Sequence, residues 1–250
     1  MESTRNDRDS APSASFSIAG ERAVPGREQG RFGTGPLSRV AALVYTLLVV
    51  ELLFLVTAAP GLAALVLLDR DASNIPLAAL CALPAGPALS AALYALRHRR
   101  SDLTDLRPAA AFWRGYRGNV AGVMKIWAPW LAGLAVVGTN LANFAAAGVP
   151  GWWAVLLVAV AVAAALWAAA ALVITSLFAF RAADVARLAS YALVRFPGVT
   201  VSNLCLLVVA AGLTLVATEA AVTLLAVVFA AALLRNSRPM IDEIRERFTA

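Results

Sequence analysis

Charge is scarce in this sequence. Of its 250 residues only 14% are Asp, Glu, Lys or Arg, while 61% are apolar. A soluble domain carries about 25% charged and roughly 45–50% apolar residues. Histidine and lysine occur once each, and cysteine twice. A single histidine, His98, excludes a His-based triad within an apolar segment, and any zinc site built on several His or Cys ligands. Cys81 and Cys205 both fall inside apolar runs, where they read as small hydrophobes and not as a disulfide framework. No GxxxxGK[ST] loop is present to cradle a nucleotide phosphate. These shortages exclude a soluble enzyme, a disordered chain and a disulfide scaffold. The expectation is a non-enzymatic protein with no catalytic residue, no cofactor and no metal.

What the chain does have is apolar length, with a mean hydropathy of +0.77. Residues 1–36 stand apart: they hold 10 of the 36 charged side chains, are rich in Ser, Gly and Pro, and contain no apolar core. They read as a disordered cytoplasmic tail. A membrane-spanning helix needs about 20 mainly apolar residues, and six runs compete for that role: Val40–Leu67, Ile75–Leu96, Ile126–Phe144, Trp152–Phe180, Val199–Ala217 and Ala220–Leu234. The last amounts to roughly 22 Å of helix against a ~30 Å hydrocarbon core. Residues 199–234 therefore read as two spans joined at Thr218–Glu219, with one span plus a re-entrant piece as the alternative. The predicted fold is an all-α membrane protein. Six transmembrane helices occupy 37–236, short amphipathic cytoplasmic helices lie between spans 2 and 3 and spans 4 and 5, and a short cytoplasmic tail covers 237–250.

The net charge is +6, from 20 Arg and one Lys dispersed among the apolar runs. That dispersion speaks for a bilayer and against nucleic acid. Lys and Arg accumulate in cytoplasmic loops. Placing both termini, loop 97–125 and loop 181–198 inside puts 20 of the 21 basic residues there and leaves Arg70 outside, between Asp69 and Asp71. Trp152 and Trp153 then fall at the outer boundary, and Trp113 and Tyr116 at the inner one, where aromatic belts form.

Glu51 lies about twelve residues into the first span. An intramembrane acid marks a proton relay, an ion site or a buried partner. With no Lys, Arg or His in any span to pair with it, a neutral acid hydrogen-bonded to a Thr, Asn or backbone carbonyl of a neighbouring helix is the favoured reading. Asn140 and Asn143 share a face of the third span; they could line a polar path with Glu51 or, like Ser90 and Asn203, hydrogen-bond between helices. Ala78, Ala82, Gly86 and Ser90 form a small-residue stripe that would admit another helix closely. Pro84 and Pro87 interrupt the second span, as an ordinary kink.

The cytoplasmic loops combine aromatic and basic residues. In loop 97–125 the run Phe112-Trp113-Arg114-Gly115-Tyr116-Arg117-Gly118-Asn119, if helical, groups Phe112, Trp113 and Tyr116 on one face, with Arg114 and Arg117 toward the other. Such a helix suits the headgroup plane or a partner surface. Loop 181–198, with Tyr191 and Arg195, echoes it: Asp184 and Tyr191 repeat the spacing of Asp105 and Phe112. Two similar units of span, cytoplasmic helix and span are implied.

At these residues the chain resembles a known family. Leu83-Pro84-Ala85-Gly86-Pro87-Ala88, continuing to Tyr94, is similar to the motif that ends the second span in the YesL-like family of bacterial membrane proteins. Phe112–Asn119 resembles that family's next motif, and Phe178–Arg181 and Arg195–Thr200 its second cytoplasmic loop. The resemblance covers roughly 33–235, with Arg where the family more often has Lys. It implies a multi-pass protein of the bacterial inner membrane, often encoded beside sugar-uptake and polysaccharide-degradation systems, and it transfers no catalytic residue. The expected function is an accessory or permease-like component working with subunits of a sugar transporter of the ABC type. The alternative is a self-sufficient small-solute transporter or channel.

Overall fold

The computed structural model describes residues 36–98, 107–216 and 219–248, and within these every regular element is a helix, with no strand. The expected disordered tail, Asp105 and the turn residue Thr218 lie outside the described residues. Ten α-helices follow in order: α1 (Pro36–Leu67), α2 (Ile75–Cys81), α3 (Ala85–Arg97), α4 (Pro108–Ala142), α5 (Trp152–Leu177), α6 (Ala182–Arg195), α7 (Pro197–Val216), α8 (Glu219–Leu224), α9 (Ala226–Asn236) and α10 (Arg238–Phe248).

Four of these, α1, α4, α5 and α7, are long and apolar enough to cross a bilayer. The pair α2 and α3 meets the same test together, bent by 42°, and makes a fifth candidate. The bend falls at Ala82–Pro84, where a proline without an N–H cannot continue the ladder. The run expected to form a sixth span is instead divided at Leu225 into α8, six residues long, and α9, eleven residues long. Neither alone spans a ~30 Å core.

The segment between spans 2 and 3 differs from expectation. Phe112–Asn119 is not a separate amphipathic helix but the first part of α4, which runs unbroken for 35 residues, about 52 Å at 1.5 Å per residue. Pro108 sits in its first turn, the one helical position where a missing N–H costs nothing. No later residue forces a break; Pro129 is carried within the helix. Between spans 4 and 5, α6 is a separate helix as expected. It folds back along α5, because the Trp167 indole N–H reaches the Ala186 carbonyl (3.3 Å) and Ser190 Oγ (3.2 Å). Beyond the spans, residues expected as a plain tail form α10, and Met240, Ile241 and Ile244 enter the core.

The core centres on α3, flanked by α1, α4, α5 and α9. Ala88, Ala91, Ala92, Leu93 and Ala95 are all buried there, and small side chains let neighbouring backbones approach closely. Gly86 and Gly115 set the α3–α4 separation. A Cβ at Gly86 would stand 2.5 Å from the Trp127 ring, and one at Gly115 2.7 Å from Tyr94. The α1–α2 approach is tighter still: a Cβ at Gly61 would collide with the Cys81 carbonyl oxygen. The Trp127 indole also donates to the Ala82 carbonyl at the bend (3.2 Å), so the same ring fills the space and satisfies an acceptor near the prolines. In the α1–α2 connection Asp71 accepts from the Ser73 N–H at 2.8 Å and caps a single 3-10 turn, Ala72–Asn74. Hydrogen bonds from the Ser73 side chain and amide hold the Asp71 carboxyl below the usual carboxylate range.

Candidate functional site

The polar residues of the apolar region fall into separate sets. Glu51, on α1, points at the break between α8 and α9. Its Oε2 accepts the Val227 N–H at 2.9 Å. Val227 is the second residue of α9, whose N-cap position, Leu225, offers no side-chain oxygen. The first N–H groups of any helix lack intrahelical partners. In water a Ser or Asp at the N-cap satisfies one of them; here a carboxyl from another helix does so. Glu51 Oε1 is buried and has no hydrogen-bond partner among the described residues.

A second polar set joins three helices. The hydroxyls of Ser90 (α3) and Ser176 (α5) hydrogen-bond at 2.9 Å. Asn119 (α4) donates from Nδ2 to Ser90 Oγ (3.3 Å) and to the Ser176 carbonyl (3.1 Å). Both serines are fully buried. Ser90 was expected to hydrogen-bond between helices; Ser176 gave no signal beyond a hydroxyl near the end of an apolar run.

Asn140 and Asn143 join neither set. Each turns its amide back on its own helix, to the Val136 and Thr139 carbonyls at 2.8 Å, and each is exposed. The polar path that Glu51, Asn140 and Asn143 could have lined is not assembled, and neither asparagine amide bonds to another helix; each is held by the i−4 carbonyl of its own helix. Asn203 does bond between helices, its Oδ1 accepting from Asn236 Nδ2 at 3.3 Å.

The aromatic-basic segment divides by helix face. Phe112 is 0% exposed and belongs to the core, Tyr116 packs against that core, and Asn119 is committed to the serines. Trp113 (40% exposed), Arg114 and Arg117 remain on the outer face. Phe112 and Asn119 are thus not available as docking residues. The inward stripe of Phe112, Gly115, Tyr116, Asn119 and Val123 has helical spacing, and the Gly115–Tyr94 fit commits it to α3. On α6, Tyr191 and Arg195 are exposed. His98, the single histidine, is exposed and stacks on Tyr94 (centroids 4.1 Å), with Nδ1 2.9 Å from that residue's carbonyl oxygen.

No family model, curated protein or solved structure matches the chain. Among the described residues no three His, Cys, Asp or Glu side chains gather where they could hold a metal ion. What stands is a multi-span all-α membrane protein without a catalytic motif, embedded in lipid through four or five long apolar helices.

Proposed function

We propose that the chain is a six-pass inner-membrane protein with both termini cytoplasmic, and that it serves as an assisting component of a larger membrane assembly. On this reading α8 and α9 together form the sixth pass, broken at Leu225 and tied to α1 by Glu51. The 20-to-1 division of basic residues supports the orientation. One observation carries the assisting role. Glu51, Ser90, Asn119 and Ser176 are engaged in holding helices together, while Trp113, Arg114 and Arg117 stand exposed on one face of α4. Aromatic residues and Arg are the types that dominate interface energetics. The link to carbohydrate uptake rests on the YesL-like resemblance of residues 83–94 and 112–119, and the matching partner would be a sugar transporter subunit.

A cavity of about 360 Å³ favours the second reading, a small-solute transporter. Residues of α1, α3, α5, α7, α8 and α9 line it, and Asn203 is the buried amide among them. Co-purification from native membranes separates the two. A docking protein brings a partner with it, and Arg114→Ala with Arg117→Ala releases that partner while insertion stays normal. If nothing is captured and the purified chain alone moves solute in vesicles, the transporter reading replaces the assisting one.

A further inference from the structure

The elbow between α5 and α6, the helix α6 and the C-terminal helix α10 line a half-open cavity of about 620 Å³ that no role above uses. Its floor is apolar, from Phe180, Leu188 and Ile244. Its rim carries Asp184, Arg187 and Tyr191, spaced three and four residues apart and so aligned on one face of α6. Asp184 and Arg187 make no ion pair with each other or with any described residue, although a single turn separates them; Glu243, on the α10 wall, has an interaction of its own. Small-ligand sites measure roughly 300–1,000 Å³ and combine an apolar lining with a few placed polar groups. An anion and a cation set side by side above an apolar floor complement a ligand that carries both charges above an apolar tail. The cavity's depth narrows the choice. α6 follows α5 and α10 follows α9, so the site lies where apolar spans give way to charged helices, at the level of lipid headgroups.

We propose that this cavity binds the headgroup of an aminophospholipid such as phosphatidylethanolamine. Arg187 takes the phosphate, as guanidinium groups do in charge-assisted pairs, and Asp184 takes the primary ammonium. The Tyr191 hydroxyl reaches the glycerol esters, and Phe180, Leu188 and Ile244 receive the first acyl carbons. Only the bilayer placement of the spans is required, so the site stands or falls apart from the assisting role and from partner capture.

The test measures lipid binding to the purified full chain by native mass spectrometry, with phosphatidylethanolamine and phosphatidylglycerol of identical acyl chains. Losing one charge-assisted contact is worth about tenfold in affinity. Wild type is expected to prefer the ethanolamine lipid by about that factor. Asp184→Asn should erase the preference while glycerol-lipid binding persists, Asp184→Glu should restore it, and Arg187→Gln should weaken binding of both lipids. Arg195, outside the cavity lining, supplies the control, and Arg195→Gln should behave as wild type. Equal binding of the two lipids by wild type, or an unchanged preference in Asp184→Asn, overturns the proposal. So does competition by free phosphoethanolamine as effective as the lipid itself, because the site would then take a soluble zwitterion.

Discussion

Single side chains set how closely α3 and α4 approach. Gly86→Ala and Gly115→Ala would each drive a methyl into a ring, Trp127 or Tyr94, at under 3 Å. Overpacking of this kind typically costs about 1–3 kcal/mol. Thermal unfolding in a fixed detergent should show both variants destabilised. Gly118→Ala, where a Cβ meets nothing within 4 Å, should be neutral or slightly stabilising. Asn119→Ala should also destabilise, by about 1–3 kcal/mol for an unsatisfied buried acceptor, because the Ser176 carbonyl loses its side-chain donor, while Ser90 Oγ keeps its bond with the Ser176 hydroxyl. Arg117→Ala, on the exposed face, should leave unfolding unchanged. The small stripe and its glycine were legible in the sequence; the inward turn of Asn119 was not. Phe112, Trp113 and Tyr116 do lie within one arc of a helix, but that arc straddles the packing boundary. Which half turns inward is decided by Tyr94 and Ser90, distant in sequence.

Among the elements, the break at Leu225 and the long reach of α4 matter most. Glu51 substitutes for a missing cap on α9, and a lost cap costs about 0.5–2 kcal/mol. Glu51→Gln retains an amide oxygen at the same reach and should unfold close to wild type. Glu51→Leu should lose stability within that range, and amide exchange at Val227 should quicken. If Glu51→Gln is as damaged as Glu51→Leu, the carboxylate does more than accept an N–H. The sequence identified Glu51 as the acid to explain and a neighbouring helix as the place of its partner, but that partner is the Val227 N–H and not the expected Thr, Asn or backbone carbonyl. It could not place Val227, because a backbone N–H becomes a target only where a helix begins, and Leu225 carries no capping residue to announce that start. Likewise the sequence located the span within α4, yet its start at Pro108 joins a span that a hydropathy pattern begins near Ile126. Hydropathy registers the change of solvent, while the hydrogen-bond ladder crosses it uninterrupted.

At the scale of the whole molecule, four long apolar helices and the bent pair agree with the first five runs of the sequence. Apolar length alone decides that agreement. The sixth run is where length and pattern fail together, since a break in mid-run is invisible to average hydropathy. Six passes and a cytoplasmic basic end make one claim, and paired phosphatase and fluorescent-protein reporters fused after residues 72, 148, 190 and 250 test it. The fusions at 72 and 148 should report outside and the one at 190 inside. The decisive position is 250: a cytoplasmic signal there, the expected result, means that α8 and α9 complete a crossing, whereas an outside signal at 250 with 190 still inside would leave five passes and contradict the six-pass topology.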